Sequence, residues 1–252
     1  MTQLDKKIAI VTGAGSGMGA ATAVLFAQNG AKVALLDRNK DGLEATLKQI
    51  EEAGGKAKSW PIDLALTDKI PAVIESVAAE FGGIDIVVNN AGIAGFLAID
   101  DPDYDAHWDR MISINLTAQQ KIVRSALPWL RKSKSPRIVN IASTEALGAT
   151  PLDSAYVASK AGVAGLTRAL AVDLGPEGIL VNCICPGPID TAMTSFVPSD
   201  HKVIFAKRRT ALKRYGGPEE VAQMSLAMSL PTQTYLTGTV VPVDGGLMAR
   251  NA

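Results

Sequence analysis

Short apolar runs alternate with longer amphipathic segments along almost the whole chain. Each run is nearly continuous in apolar residues, which is typical of strands buried on both faces of a parallel sheet. Seven such runs predict strands, at residues 8–13, 32–37, 58–64, 84–92, 137–143, 179–187 and 239–246. Helical patterns lie between them, at about 17–29, 39–53, 67–81, 104–132, 154–174 and 218–230.

This alternation of strand and helix predicts an α/β fold, with a doubly wound parallel seven-stranded sheet flanked by helices. Right-handed crossovers would place helices on both faces of that sheet. No linker, repeat or low-complexity tract interrupts the 252 residues, so we expect a single domain over 1–252. The stretch 188–217 is the least regular and is interpreted as a substrate loop, with a plain surface excursion as the alternative.

The composition narrows the possible partners. Lys plus Arg number 25 and Asp plus Glu also number 25, and this balance disfavours nucleic acid, which requires a basic excess. We find neither a signal peptide nor an apolar run of about 18 residues, so no membrane partner is expected. Cys183 and Cys185 fall on one face of a predicted strand, which favours core packing in a reducing cytoplasm. His107 and His201 are isolated, and we expect no metal site.

A glycine-rich turn, "TGAGSGMG" at 12–19, follows the first predicted strand and precedes a helix. Glycines permit a tight turn and close approach of the backbone to a pyrophosphate, while the helix N-terminus supplies free N–H groups. The spacing of Gly13, Gly17 and Gly19 departs from the common G-x-G-x-x-G pattern, so a purely structural turn is the alternative. Its place between strand and helix favours dinucleotide binding.

An acidic residue, Asp37, ends the second predicted strand, 24 residues after Gly13. A carboxylate at about this spacing accepts hydrogen bonds from the ribose hydroxyls of the adenosine and repels a 2′-phosphate, which favours NAD over NADP. Arg38 could soften that preference, and a helix cap is the alternative role of Asp37. Asp63 and the "NNAG" that begins at Asn89 end the third and fourth strands at the same edge of the sheet.

The segment "YVASK" places Tyr156 and Lys160 four residues apart, on one face of a predicted helix. A free phenol titrates near pH 10, so it is a poor acid or base at neutrality. A neighbouring ammonium favours the phenolate and lowers the pKa of the tyrosine. An ordinary surface pair is the alternative, and the spacing alone does not decide between the two.

Taken together, these segments resemble the short-chain dehydrogenase/reductase family over essentially the whole chain. The resemblance rests on "TGAGSGMG" at 12–19, "NNAG" at 89–92, Asn115 in "SINL", Ser143 in "IVNIAS", "YVASK" at 156–160 and "PGPIDT" at 186–191. Ser143 precedes Tyr156 by thirteen residues, the usual interval of that family. The resemblance implies a Rossmann fold and a catalytic tetrad of Asn115, Ser143, Tyr156 and Lys160.

The resemblance also implies a role for each member of the tetrad. Tyr156 would exchange a proton with the substrate as general acid or base, and Lys160 would lower its pKa and hold the nicotinamide ribose. Ser143 would donate a hydrogen bond to the substrate oxygen, where charge develops. Asn115 would hold a backbone bend and a water molecule. A strand-end turn cap is the alternative for Ser143, and a buried helix amide is the alternative for Asn115.

Residues that contact the cofactor and the substrate complete the expected site. By the resemblance, Pro186, Gly187, Ile189 and Thr191 border the nicotinamide. The candidate cofactor-binding residues are Gly13, Ser16, Gly17, Met18, Gly19, Asp37, Arg38, Asp63, Leu64, Asn89, Ala91, Gly92, Tyr156, Lys160, Pro186, Gly187, Ile189 and Thr191.

The candidate substrate-binding residues are Ser143, Glu145 and Tyr156. Thr144 and Leu147 lie in the same segment after Ser143 and are further candidates to face the substrate. Glu145 suits a hydroxyl-rich or cationic substrate, with exposure to solvent as the alternative.

We therefore expect an NAD-dependent oxidoreductase that interconverts a secondary alcohol and a ketone. One alternative is a 3-oxoacyl thioester reductase using NADPH, and another is a catalytically silent nucleotide-binding protein. The resemblance implies a cytoplasmic homotetramer or homodimer with a small-molecule substrate, assembled through the helices at 104–132 and 154–174. The basic stretch 201–214 is interpreted as a solvated lid face, with steering of an anionic substrate as the alternative.

Overall fold

A computed structural model describes residues 2–195 and 197–250, so Phe196 in the predicted substrate loop lies outside the described residues. All seven predicted strands are present, most of them shorter than the apolar runs that predicted them. They are β1 (Ile8–Thr12), β2 (Lys32–Asp37), β3 (Lys56–Pro61), β4 (Ile86–Asn89), β5 (Arg137–Ile141), β6 (Leu180–Pro186) and β7 (Val240–Val243).

The helices between the strands also follow the predicted order. They are α1 (Gly17–Gln28), α2 (Lys40–Glu52), α3 (Ile70–Phe81), α4 (Tyr104–Ile112), α5 (Ala118–Leu130), α6 (Ser154–Leu174), α7 (Ser199–Arg209) and α8 (Pro218–Ser229). The single helix expected over 104–132 contains a π-helical turn, Ser113–Thr117, which separates α4 from α5. No helix in the described ranges is long and apolar enough to cross a membrane.

The strands pair in the order β3-β2-β1-β4-β5-β6-β7, and every pairing is parallel. The first three strands therefore extend the sheet in one direction from β1, and the later ones extend it in the other. Connections diverge at such a switch point, between β1 and β4, and leave a crevice outside the carboxyl ends of the strands. The predicted doubly wound fold is confirmed.

Two apolar layers cover the faces of the sheet. Helices α1, α2 and α8 pack on one face, and α3, α5 and the C-terminal part of α6 pack on the other. Consecutive residues of β1 show the alternation, because Val11 packs in the first layer and Ile10 packs in the second. Both side chains are fully buried, as the nearly continuous apolar runs predicted.

A buried chain of polar side chains fastens α6 to the middle of the sheet. Asn89 Nδ2 donates a hydrogen bond to Asn140 Oδ1, 2.9 Å away, and Asn140 Nδ2 donates to Thr167 Oγ1 at the same distance. The Thr167 hydroxyl donates in turn to the carbonyl of Val163. Because an unpaired buried polar group costs free energy, this chain constrains how α6 lies on β4 and β5.

The expectation of irregular structure throughout 188–217 is wrong over 199–209, where α7 forms. Its described residues include one buried side chain, Ala206, so the helix has almost no apolar face for a periodicity search to find. Ion pairs fix the surrounding segment, with Lys202 Nζ 2.7 Å from Asp190 Oδ1 and Arg214 Nη1 2.7 Å from Glu220 Oε2. The basic stretch is thus partly paired.

The glycine turn before α1 predicts a difference between two glycine substitutions. A Cβ on Gly19 would clash with the Gly13 carbonyl oxygen, so we expect Gly19→Ala to lower the free energy of unfolding by about 1–3 kcal/mol. Gly175 has a helical φ of −56°, and a Cβ added to it would meet no atom within 4 Å beyond its own helix and its chain neighbours. Gly175→Ala would crowd only the ring of the following Pro176, so it should lower the free energy of unfolding by less than Gly19→Ala does.

Urea denaturation of both variants without cofactor measures the difference. Equal stabilities of the Gly19→Ala variant and the unmodified protein would contradict the packing described for the turn.

Candidate active site

The glycine-rich turn leaves backbone N–H groups open at the crevice. Gly13 and Gly17 adopt left-handed conformations, with φ of 66° and 53°, which favour glycine strongly over other residues. Ser16 is the N-cap of α1, but its side chain makes no capping hydrogen bond. The N–H groups of the first helical turn are thus available to a phosphate.

A threonine hydroxyl joins this turn to the segment after β4. Thr12 Oγ1 accepts hydrogen bonds from the backbone N–H groups of Asn90, at 3.0 Å, and Ala91, at 2.9 Å. Asn90 Nδ2 donates to the Thr12 carbonyl, 2.9 Å away, while Asn90 Oδ1 is buried and has no partner among the described residues. The Asn90 side chain is therefore fixed at the crevice, and its Oδ1 can still accept a hydrogen bond.

The sequence analysis selected Asn89 as a cofactor-binding residue, whereas the structure brings its neighbour Asn90 to the crevice. The Asn89 side chain is fully buried and pairs with Asn140. Side chains alternate along a strand, so only one of two consecutive asparagines can face the crevice. The position of Asn90 relative to the apolar pattern of β4 was the one signal that could have identified it from the sequence. No comparable pattern marked Thr12.

The carboxylate of Asp37 closes the turn on the β2 side. Its Oδ2 accepts from the Gly15 N–H at 3.0 Å and its Oδ1 accepts from the Asn39 N–H at 2.9 Å. Asn39, not Asp37, caps α2, through a hydrogen bond from Gly42 N at 3.2 Å. The alternative of a helix cap is therefore excluded for Asp37, which lines the crevice beside Arg38.

The crevice is a cavity of about 300 Å³ that contains most of the predicted cofactor-binding residues. Those lining it are Gly13, Ser16, Gly17, Met18, Asp37, Arg38, Asp63, Leu64, Ala91, Gly92 and Thr191. Gly19, Asn89, Tyr156, Lys160, Pro186, Gly187 and Ile189 do not line it. Gly19 is buried under the turn, and a Cβ on Gly187 would lie 2.7 Å from Asp244. Contact with a cofactor stays a prediction for every candidate.

The donors and acceptors of this cavity fit a nicotinamide dinucleotide. Open N–H groups at the start of α1 suit a pyrophosphate, and the carboxylate of Asp37 suits ribose hydroxyls. At the inner end, a Cβ on Gly92 would lie 3.2 Å from both Asn115 Oδ1 and Lys160 Nζ. A glycine there leaves space directly over the two tetrad residues.

Asn115 connects three segments around the predicted catalytic centre. Its Oδ1 accepts from Ile93 N at 2.8 Å, and its Nδ2 donates to the Ile93 carbonyl at 3.0 Å and to Ser159 Oγ at 3.1 Å. The backbone bend expected at this position is present as the π-helical turn Ser113–Thr117. Such turns are frequent at functional sites, and this one aims a fully buried amide between β4 and α6.

Lys160 is buried beneath Tyr156, with 3% of its surface exposed. Its Nζ donates to the Ile141 carbonyl, 3.0 Å away, and lies 5.6 Å from the centroid of the Tyr156 ring. Burial penalises the ammonium and lowers the pKa of Lys160 to about 8. The pKa of Lys160 is thus close to neutral pH, and its amine has no negatively charged partner among the described ion pairs.

Burial raises the pKa of Tyr156 to about 12, opposite to the direction expected from Lys160. A hydrogen bond with the Ser143 side chain lowers it, while the negative charges of Asp153 and Glu145 raise it further. The ammonium of Lys160 points to a carbonyl and does not offset the loss of water around the phenol. By itself, the protein therefore does not generate the phenolate.

The segment after Ser143 contains two carboxyl groups near Tyr156, those of Glu145 and Asp153. Glu145 lies in the 3₁₀ turn that follows Ser143, and its Oε1 accepts from Thr150 Oγ1 at 2.9 Å. Asp153, three residues before Tyr156, is buried, and its pKa is raised to about 7 by burial and by the charge of Glu145. Asp153 is the last residue of the segment "TEALGATPLD" at 144–153, a candidate pocket segment, but the sequence did not single it out, because an acid before a helix is usually an exposed cap. Thr144 is buried and Leu147 is exposed.

Among the described residues, no group of three or more His, Cys, Asp or Glu could hold a metal ion. The two cysteines are free and buried on β6, as the strand pattern predicted.

A parallel doubly wound sheet with a glycine-rich turn at its switch point defines a dinucleotide-binding class of protein. A family model described as "Enoyl-(Acyl carrier protein) reductase" matches residues 13–248. The chain belongs to the short-chain dehydrogenase/reductase family, a family of oxidoreductases.

Known proteins with different activities share this chain's sequence and fold. A 3-oxoacyl-(acyl-carrier-protein) reductase of Thermotoga maritima is 38% identical over 98% of this chain and 99% of its own. The crystal structure of a carveol dehydrogenase from Mycobacterium avium in complex with NAD has a TM-score of 0.92 at 25% identity, covering 99% of this chain and 100% of its own. A structure from Beutenbergia cavernae, with NADP bound at low occupancy, has a TM-score of 0.92 at 33% identity, covering 99% of both chains.

The buried Lys160 predicts a pH dependence of stability. Its pKa of about 8 lies below the ordinary lysine value near 10.4, so between these values the unfolded state binds more protons than the folded state. The contribution of Lys160 to the free energy of unfolding should therefore rise with pH from about 8 to about 10.

We expect the stability difference between the unmodified protein and Lys160→Met to shift in favour of the unmodified protein across this window. Chemical denaturation without cofactor, at intervals of about one pH unit, measures it. A difference that is independent of pH would contradict the burial of an ionisable amine.

Proposed function

We propose that the protein is an NAD-dependent dehydrogenase that interconverts a secondary alcohol and a ketone, with Tyr156 as general acid/base. One observation carries the proposal: the crevice reaches Gly92, where an added Cβ would lie 3.2 Å from both Asn115 Oδ1 and Lys160 Nζ. Tyr156 lies next to that amine, and its phenol interacts with Ser143. A carbinol between the cofactor and the tyrosine would give a hydride from its carbon on one side and the proton of its hydroxyl on the other.

Three members of the tetrad have one part each in this reaction, and the part of Lys160 depends on the bound charges. When bound, an oxidised nicotinamide would supply a hydride acceptor and a positive ring charge. Tyr156 takes the hydroxyl proton, so the alcohol loses one hydride and one proton and becomes a ketone. Ser143 donates a hydrogen bond to the oxygen as charge develops on it. Asn115 positions α6 through Ser159, whose hydroxyl donates to the Tyr156 carbonyl at 2.7 Å.

The pKa values of Tyr156 and Lys160 make this mechanism dependent on the charge of the bound cofactor. Tyr156 has a pKa of about 12, so the phenolate is scarce at neutral pH. A positive charge in the crevice would favour the phenolate, and the negative tyrosine would in turn keep Lys160 protonated. The phenolate is therefore favoured once the oxidised cofactor has bound, which suits oxidation after cofactor binding.

For the cofactor we propose NAD, because Asp37 faces the crevice with both carboxylate oxygens fixed by backbone N–H groups. A rigid carboxylate can still accept from ribose hydroxyls, while a 2′-phosphate would meet like charge. Arg38 also lines the crevice and is exposed. Its positive charge would offset part of the repulsion between Asp37 and a 2′-phosphate.

A 3-oxoacyl thioester reductase using NADPH is the second candidate. The relative from Thermotoga maritima favours it by similarity, and Arg38 beside the crevice could bind a 2′-phosphate. Asp37 counts against it. A catalytically silent nucleotide-binding protein is a third possibility that the intact tetrad opposes.

We also propose a homotetramer, or a homodimer, in the cytoplasm. The exposed face of α6 combines three small or apolar residues, Ala161, Ala169 and Val172, with two charged ones, Arg168 and Asp173. Val172 is 76% exposed in the single chain, so packing of α6 against a second copy would bury it.

A substrate screen tests the proposed activity directly. Cyclic, aryl, sugar and hydroxyacid alcohols are incubated with NAD or NADP, and 3-oxoacyl thioesters with the reduced cofactors, while absorbance at the reduced nicotinamide band is recorded. We expect NAD-linked oxidation of at least one alcohol class. NADH binding without turnover of any compound would favour the silent protein, and thioester reduction alone would favour the reductase.

With the best alcohol from that screen, Tyr156→Phe should abolish turnover while folding and NADH binding survive. The change removes the transferable proton but keeps the ring, and loss of general acid/base catalysis typically costs about 10²–10⁴-fold. Tyr235→Phe is the matched control, because the Tyr235 side chain is fully exposed. Near-normal oxidation by Tyr156→Phe would rule out the mechanism given above.

Asp37→Ser should reduce the preference for NAD over NADP, measured as the ratio of kcat/KM values, by at least about tenfold, or about 1.4 kcal/mol. The substitution removes the negative charge that meets the 2′-phosphate. Asp41→Ser, which removes a charge nearby on α2 without lining the crevice, should leave the ratio almost unchanged. Equal use of NAD and NADP by the unmodified protein would overturn the role given to Asp37.

A further inference from the structure

Two carboxyl groups lie near the catalytic tyrosine. Glu145 comes from the 3₁₀ turn after Ser143, and Asp153 is the N-cap of α6, three residues before Tyr156. The turn packs against α6, so the two acids belong to one cluster although they come from different elements. Both charges act on the Tyr156 phenol.

The chain satisfies these carboxyl groups only in part. Asp153 is 6% exposed, its Oδ1 has no hydrogen-bond partner among the described residues, and its side chain does not cap the helix that it begins. Glu145 Oε1 accepts from Thr150 Oγ1, whereas Glu145 Oε2 is buried without a partner. In the described part of the chain, none of the ion pairs includes either residue. A buried carboxyl oxygen with no donor costs free energy, which a ligand with donors would recover.

We propose that Glu145 and Asp153 form a recognition site for a substrate ammonium group, so that the preferred substrate is an amino alcohol whose ammonium lies close to the carbinol. This inference rests on the proposed function and assigns its substrate class. In the reaction, the carbinol carbon gives a hydride to the nicotinamide and the hydroxyl gives its proton to Tyr156. The product is an amino ketone that keeps its ammonium group.

The charge of the cluster favours an ammonium over the other groups that an alcohol could carry. An ammonium offers several N–H donors and a positive charge. It would therefore supply the missing hydrogen-bond donors and offset the negative charge of the acids. A second hydroxyl would offer one donor and no charge. A carboxylate would be repelled, so hydroxyacids should be poor substrates.

An ammonium at this site would also assist catalysis. The two acids disfavour the Tyr156 phenolate, because each places negative charge near the phenol. A bound cation offsets that charge at the moment when the substrate is present. The chain thus holds its tyrosine protonated until both the positively charged cofactor and a positively charged substrate have entered.

Apolar side chains surround the acid cluster and indicate the rest of the substrate. Leu152, next to Asp153, is 59% exposed, and Leu147, just after the turn, is 44% exposed. A Cβ on Gly148, beside Leu147, would contact Met248 at 3.6 Å. A hydrophobic or aryl body attached to the carbinol would cover these side chains, whereas a small polyol would leave them in water.

Four alcohols of matched shape test the proposal with NAD: 2-amino-1-phenylethanol, 1-phenyl-1-propanol, 1-phenyl-1,2-ethanediol and mandelate. The first three place an ammonium, a methyl and a hydroxyl at the same position beside the same carbinol, and mandelate carries a carboxylate directly on the carbinol carbon. We expect kcat/KM for the ammonium compound to exceed that for the propanol by about tenfold to a hundredfold, as for one hydrogen bond to a charged group. Mandelate should be the poorest of the four.

Variants of each acid assign the preference to the cluster. Asp153→Asn and Glu145→Gln should each lower the ratio of kcat/KM between the ammonium compound and the propanol to below about threefold. Each keeps the shape of the side chain, and two independent variants guard against a folding defect in one. Asp173→Asn is the matched control, since Asp173 is an exposed acid near the other end of α6. It should leave the ratio as in the unmodified protein.

The outcomes separate this inference from the proposed function. Oxidation that favours the propanol, the diol or mandelate overturns the inference but supports a dehydrogenase, and so does a preference for ammonium that survives both variants. If none of the four is oxidised, calorimetric titration of each into the protein with NADH decides. Binding of the ammonium compound no tighter than that of the propanol then overturns the inference. The wider alcohol screen tests the proposed function separately.

Discussion

The parallel pairing of seven strands is the constraint on which the rest of this structure depends. Every strand ends at the same edge of the sheet, so residues far apart in the chain meet where β1 and β4 diverge. The Thr12 hydroxyl is one such contact, because it holds the backbone that follows β4 against the end of β1. The glycine turn and the carboxylate of Asp37 gather at this point.

The catalytic end of the crevice combines rigid geometry with unfavourable charge. Asn115, the π-helical turn and the polar chain through Asn140 hold α6 in place. Within that frame, an amine is buried with a pKa of about 8 and a phenol has a pKa of about 12. Such perturbed groups are typical of functional sites. In the proposed mechanism, positive charge on the bound cofactor would favour the Tyr156 phenolate, so the cofactor as well as the rigid frame would contribute to forming the base.

The less regular segments of the chain lie around the mouth of this frame. Relatives named as a 3-oxoacyl-(acyl-carrier-protein) reductase and as a carveol dehydrogenase align with this chain over nearly its full length, so the sheet and its helices do not select the substrate. In the proposed function, selection falls to the residues after β5, which include the acid cluster, and to the segment with α7. Loops on a rigid scaffold are where binding residues usually lie.

The sequence by itself determined the order of strands and helices and the place of the glycine turn. Asp37 followed from its spacing after the glycine turn, whereas the tetrad followed from the resemblance to the short-chain dehydrogenase/reductase family. Only the tertiary structure decided that Asn90 rather than Asn89 lines the crevice, since that depends on how β4 is rotated in the sheet. It also reversed the expected shift of the Tyr156 pKa and revealed Asp153 beside it. Burial and charge act through space, and residues distant in the chain set both.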